Sequence, residues 1–271
     1  MAAAKSEDFN AKYTDANLAS DAAPYDSERL CNLVKILEDA DNGSISTAAP
    51  AILAGMLCAQ KRGDAVPKLY RDIVSGKSNN DKKAIFFGMK RATNLTWAFV
   101  GLPNCIPACL GLINELRRDN IAVPSEVDRA PFNEVDWSTK GKETNRQIYR
   151  AVGNSEVGQM IAQYFPELSY IANAAVFGYL IGGSVKEQAL PLCEIIVAGA
   201  IAAMGATRQA RSHFKGSMGL GISQAAVDAV WGVAQQVAAW NTTKLPGDIN
   251  VAALAEEVKA NLAQIMDGPS S

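Results

Sequence analysis

The sequence predicts an all-α protein, and three observations carry that expectation. Apolar residues recur at three- and four-residue spacing, as in Leu30, Val34 and Leu37, which marks one buried stripe per helix. Cap-type residues and Gly or Pro breaks separate the stripes. No run of alternating β-branched residues is long enough to require a sheet. The 271 residues allow one large domain or two small ones. With 48% apolar and 20% charged residues, the chain can bury a core and stay soluble.

Residues 1–26 are polar, alanine-rich and aperiodic, and are expected to form a disordered tail. A helical unit is expected over 27–118, with helices starting at Ser27 and then near 47–60, 64–75, 80–100 and 104–118. Asn80-Asp81 offers a cap for the fourth of these. Asp119-Asn120, Pro124, Asp128, Pro131 and Asp136 then break the pattern, so 119–140 reads as a linker. Helical patterning resumes at Glu143 and continues near 156–182, 186–204, 207–219 and 223–240, giving a second unit over 141–245. Ser223 is placed to cap its last helix. After the loop Asn241 to Gly247, a terminal helix is expected within 246–271. Asp248 is its cap candidate, and Val251, Leu254, Val258, Leu262 and Ile265 form its stripe.

The two units read as tandem copies. A shift of 144 residues carries Ala54-Gly55 onto Ala198-Gly199, Leu57 onto Ile201, Ala59 onto Ala203, Tyr70 onto Phe214 and Arg71 onto Lys215. One deletion later, Trp97 falls on Trp240. The shared order of helix, turn, helix, turn, long helix supports the repeat more than the identities do.

Composition narrows the partners. The net charge of -2 carries no basic excess, which argues against nucleic acid or an anionic membrane surface. The first eight residues lack the apolar stretch of a secretory signal. The longest apolar run, Ile195 to Gly205, is about half of what a membrane span needs. The five cysteines sit in apolar contexts and read as reduced thiols, so a cytoplasmic protein is expected. One histidine and scattered cysteines do not supply a metal-ligand set, and no cofactor is implied.

Two residues stand out as candidates for chemistry. His213 is the only histidine, so any histidine-based proton transfer must use it. Glu194 is the only charge between Gln188 and Arg208, in an otherwise apolar stretch. Buried alone it would be costly, so it calls for a partner or for its neutral form. Consecutive helices could bring it to His213. The alternatives are a satisfied core histidine, and a Glu194 that faces solvent in the first turn of its helix, where negative charge suits the helix dipole. Cys105 and Cys109, four apart, have core-packing spacing rather than redox spacing. Gly216-Ser-Met-Gly219-Leu-Gly221 follows a helix, not a strand, and is set aside as a phosphate loop.

The stretch from Glu194 to Trp240 resembles the carboxymuconolactone decarboxylase / AhpD-like family. The likeness rests on Glu194 opening an alanine-rich helix, then Gly205, His213, Gly221-Ile222-Ser223 and a long helix to Trp240. Upstream, Arg150-Ala-Val-Gly153, Phe165-Pro-Glu-Leu168 and Phe177-Gly178 extend it to roughly 140–245. The resemblance implies an AhpD-like helical fold and a homo-oligomer, here a dimer or trimer. It also implies His213 as acid or base with Glu194 orienting it. Arg208, Arg211, Gln209, Lys215 and Trp240 are the expected contacts to a small carboxylated or carbonyl substrate, with solvated surface charge as the commoner alternative for Arg208, Arg211 and Lys215.

Departures from the family pattern matter. Ala206 and Gln209 stand where peroxidase members carry their Cys-x-x-Cys pair. Cys193 stands where decarboxylase members often carry Arg, and Gln209 where they often carry Glu. In the first copy, Pro50 and Leu69 occupy the Glu and His places, so that copy is expected to be catalytically empty. Decarboxylase- or lyase-type acid–base chemistry is therefore the first expectation. An AhpD-like thiol peroxidase or reductase, and a non-catalytic assembly or binding protein of the same fold, are the alternatives.

Overall fold

The structure is a computed structural model that describes residues 9–125, 127, 129–153, 156–186 and 188–267. Among these residues it is helical throughout, with no strand. The first half holds α1 (Ser27–Asp39), α2 (Ala49–Ala59), α3 (Ala65–Ile73), α4 (Asn79–Val100) and α5 (Leu102–Arg118). The second holds α6 (Trp137–Tyr149), α7 (Glu156–Tyr164), α8 (Pro166–Ile171), α9 (Leu190–Ala203), α10 (Thr207–Gly219), α11 (Gln224–Trp240) and α12 (Val251–Asp267). From α8 the chain continues into a wider, π-type winding over Ala172–Ile181.

Two helices form the centre because they are apolar all round, as a helix with no solvent face must be. α2 buries ten of its eleven residues and α9 twelve of its fourteen. They pack on each other through glycines that let the backbones approach. A Cβ on Gly55 would lie 3.5 Å from Ala200 Cβ and 3.8 Å from the Ile196 carbonyl. A Cβ on Gly199 would lie 3.0 Å from Met56 Cε and 3.2 Å from Ile52 Cγ2. The contact is reciprocal, since the 144-residue shift that carries Gly55 onto Gly199 also carries Ile52 onto Ile196 and Met56 onto Ala200.

The long helices α4 and α11 flank this pair. α1, from the first half, packs on α11, and the π-wound segment, from the second half, packs on α4. The outer pairs correspond as well. Arg71 of α3 bonds Glu115 of α5 at 2.5 and 3.1 Å, and Lys215 of α10 bonds Glu257 of α12 at 3.0 Å. A knot of polar bonds then joins the segment before α1, the turn between α2 and α3 and the end of α11. Arg62 pairs with Asp64, donates to the Ala23 carbonyl and to Asn241 Oδ1, and lies 4.4 Å above the Trp240 ring. Trp240 Nε1 donates to the Pro24 carbonyl.

Several boundaries differ from the sequence expectation for local reasons. Of the tail expected to be disordered over 1–26, residues 1–8 lie outside the described residues, while 9–25 are tied down. Asn10 bonds Asn114, Asp15 pairs with Lys68, and the Tyr25 hydroxyl donates to Asp72 at 2.5 Å. Such polar ties leave no periodic trace. The linker ends earlier than 140, because Asp136 accepts from the Thr139 amide and starts α6 at Trp137. Ser78, not Asn80-Asp81, caps α4, and Asn250, not Asp248, accepts the α12 cap bond from Ala253. Ser223 caps α11 as its position predicts.

The stretch expected as one helix over 156–182 is broken at Phe165 and then rewound. Gly141 and Gly178 explain the rewinding, since they let α6 and the π-wound segment touch backbone to backbone. A Cβ on Gly141 would collide with the Asn173 carbonyl, and one on Gly178 with the Trp137 carbonyl. By length and composition, Pro166–Lys186 could also cross a membrane, with a mean hydropathy of 1.4. Its inner face is the one spent on α6.

Candidate functional site

Glu194 sits in the second turn of α9 and His213 in the second turn of α10, on consecutive helices joined at Gly205, whose φ of +81° suits only glycine well. Both are buried, Glu194 completely and His213 to 4% exposure. His213 Nδ1 lies 2.7 Å from Glu194 Oε1. Its other nitrogen, Nε2, lies 3.2 Å from the Tyr149 hydroxyl. With Glu194 ionised, the carboxylate can only accept, so Nδ1 carries the imidazole proton and Nε2 accepts from the phenol. Three side chains thus form one hydrogen-bonded chain that begins at a buried carboxylate and ends at a half-buried phenol.

Glycines bring the parts together. α10 presents Gly216 and Gly219 to the end of α6. A Cβ on Gly216 would lie 3.0 Å from the Ile148 carbonyl and 3.3 Å from Glu194 Oε1, and one on Gly219 only 2.5 Å from Ala151 Cβ. This close approach carries Tyr149, the last residue of α6, onto His213. Gly216 and Gly219 therefore serve helix packing. Ser217 Oγ donates back to the His213 carbonyl and holds the helix turn.

Aromatic rings wall the imidazole. Phe99 of α4 meets it edge-on at 5.7 Å, as does the Tyr149 ring, and Phe177 of the π-wound segment packs on Tyr149 at 6.0 Å. Burial first, and then the negative charge of Glu194, push the Tyr149 phenol well above its ordinary value. Its neutral form is favoured, so Tyr149 holds its proton unless a partner takes it in the same step. Glu194 Oε2 is buried without a hydrogen-bond partner. An acceptor of this kind is uncommon in a folded interior.

The other predicted site residues do not converge here. Arg208, Gln209 and Arg211 are exposed on α10. Lys215 is engaged by the Val152 carbonyl and Glu257. Trp240 belongs to the Arg62 knot. A cleft of about 600 Å³ opens instead between α4 and the π-wound segment, and none of these residues lines it. Tyr149 and Phe99 were not picked out by sequence reasoning. Tyr149 directly precedes the Arg150–Gly153 turn, but nothing in its neighbours marks it, and Phe99 comes from the other half of the chain. Pro50 and Leu69, at the corresponding places of the first half, hold no ionisable group, and Leu69 is fully buried. No disulfide joins the five cysteines. Among the described residues no group of three or more His, Cys, Asp or Glu is placed to hold a metal ion.

A scan against protein-family models and searches of curated proteins and of solved structures match nothing to this chain.

Proposed function

We propose that the protein is an enzyme of decarboxylase or lyase type that moves a proton on a small carbonyl or carboxylated compound. One observation carries the reading: the unbroken hydrogen-bond chain from Glu194 through His213 to Tyr149. His213 is nearly enclosed, so Tyr149 is the member that meets the substrate. In the forward step the Tyr149 oxygen takes a proton from the substrate while its own proton passes to His213 Nε2. The imidazolium that forms is stabilised by Glu194, as a carboxylate stabilises an imidazolium in other acid–base sites. Tyr149 never stands as a free phenolate, which its surroundings disfavour. The reverse transfer returns the proton to the product.

The likeness to the carboxymuconolactone decarboxylase / AhpD-like family supports this reading through the Glu194-to-His213 spacing. The missing Cys-x-x-Cys ranks a thiol peroxidase lower. Tandem descent of the two halves is part of the same proposal, and the reciprocal Gly55 and Gly199 contacts support it. In that view the first copy, with Pro50 and Leu69, is a scaffold that lends Phe99 to the second.

A lone histidine makes the test direct. Long-range ¹H–¹⁵N NMR should find His213 in its Nδ1–H tautomer, and Tyr149→Phe should shift Nε2 alone. On any substrate found by screening carboxylated carbonyl compounds, His213→Gln and Tyr149→Phe should each cut turnover by about 10²–10⁴ with the fold intact, the usual worth of a positioned acid or base. An Nε2–H tautomer that ignores Tyr149→Phe would sink the relay and favour a non-catalytic binding protein.

A further inference from the structure

Three of the five cysteines gather where α2, α4 and α5 meet. The Cys58 thiol, near the end of α2, is hydrogen-bonded to Cys105, at the end of the first turn of α5. Thr96 of α4 also touches Cys105. Cys109, one turn further along α5, touches Thr93 of α4. The pair in contact stands at positions 58 and 105, 47 apart, so its closeness comes from helix packing and not from a local motif.

The contact is polarised. The bond from Cys58, and then the contact with Thr96, hold the Cys105 thiol below its ordinary value in spite of its burial. The same bond, and then burial, push Cys58 the other way. Cys105 is therefore the better thiolate, and the thiolate is the form that attacks an oxidant. Its place in the first turn of a 17-residue helix adds the positive end of the helix dipole. Cys31 and Cys109 are more exposed, yet burial chiefly pushes both of them up.

Cys105 is only 1% exposed, but the turn that carries it lies at the surface, with Leu102 and Ile106 at 51% and 42%. That turn is also one backbone bond short, because Pro107 has no N–H to give the Pro103 carbonyl. Segments held by fewer bonds open locally at less cost than the whole fold.

We propose that Cys58 and Cys105 are a reversible dithiol site, closed to a disulfide between α2 and α5 by a peroxide that enters at the first turn of α5. The Cys105 thiolate attacks one peroxide oxygen. The O–O bond breaks, and hydroxide leaves and takes a proton from solvent. The Cys58 sulfur then attacks the Cys105 sulfenic sulfur. The S–O bond breaks, and the hydroxyl leaves as water with the Cys58 proton. Two thiols give up two electrons, and one hydrogen peroxide becomes two waters. The site is independent of the relay, whose residues stand on α6, α9 and α10.

The full chain, treated with one equivalent of hydrogen peroxide, quenched, unfolded and alkylated, tests this by peptide mass mapping without reductant. The Cys58–Cys105 link should be the first product, ahead of any change at the more exposed Cys31 or Cys109. Alkylatable thiols should fall by two from five, and dithiothreitol should restore them. Cys58→Ser should leave Cys105 as a sulfenic acid that dimedone traps, whereas Cys105→Ser should leave Cys58 unmodified. Circular dichroism checks that both variants keep their helices, and mapping of the unaltered chain decides the matter if they do not. Oxidation of Cys31 or Cys109 first, a link between any other two cysteines, or a full set of alkylatable thiols after peroxide overturns the proposal.

Discussion

A carboxylate with no exposure and one hydrogen-bonded oxygen, as in Glu194, depends heavily on its single partner. His213→Ala should therefore cost about 2–3 kcal/mol in urea denaturation, because it leaves a buried acceptor unmet. The double variant with Glu194→Gln should cost clearly less than the sum of the two single changes, since the residues act as a unit. Strict additivity would mean that the 2.7 Å contact contributes little to the fold. At this scale the sequence was half legible. Glu194 and His213 were visible because each is singular, the only charge in its apolar run and the only histidine in the chain. Tyr149 was not, because its role comes from Gly216 and Gly219 letting another helix close on it, which neighbours in sequence do not reveal. Arg208, Gln209 and Arg211, expected as substrate contacts, are exposed on α10 instead, as charged and polar residues on a solvated helix face are.

Helix existence was readable and helix winding was not. Stripes at three and four predict where α1, α3 to α5 and α10 to α12 lie, to within a few residues, because burial of one face is written into the spacing, while α2 and α9 show as apolar runs. The π-wound segment Ala172–Ile181 carries no such signature, since its cause is the bare backbone of Gly141 in a different helix. Two glycine substitutions separate these effects. Gly141→Ala should destabilise by about 3 kcal/mol or more, because the new methyl meets a carbonyl that cannot move freely. Gly232→Ala, in α11 with nothing within 4 Å, should instead stabilise by about 0.5–1 kcal/mol through helix propensity. Thermal melts of the pair check both signs, and a harmless Gly141→Ala would refute the close packing of α6 on the π-wound segment.

The whole molecule leaves one part without cover. The hairpin of α7 and α8 buries no residue of its own, yet Tyr164, Phe165, Leu168 and Tyr170 are 53–69% exposed on it. An exposed apolar patch of this kind is typical of an interaction surface. Self-association as a dimer or trimer is expected, and Tyr164→Lys with Leu168→Lys should shift sedimentation towards monomer. A monomer at every concentration of the unaltered chain would exclude it. The all-helical class was legible from composition and spacing. The intimate crossing of α2 and α9 was not, because a helix that is apolar all round names no particular neighbour.

The Arg62 knot sets an order in time. Its bonds join residues 179 and 216 positions apart, Arg62 to Asn241 and Pro24 to Trp240. During synthesis Pro24 and Arg62 must wait for residues 240 and 241 to emerge before these contacts can close. At usual elongation rates that wait is roughly ten to forty seconds. Until α9 emerges, α2, which ends with ten of eleven residues buried, has no partner helix to cover it, so the longest-lived bare surface of the growing chain is the one that becomes its centre.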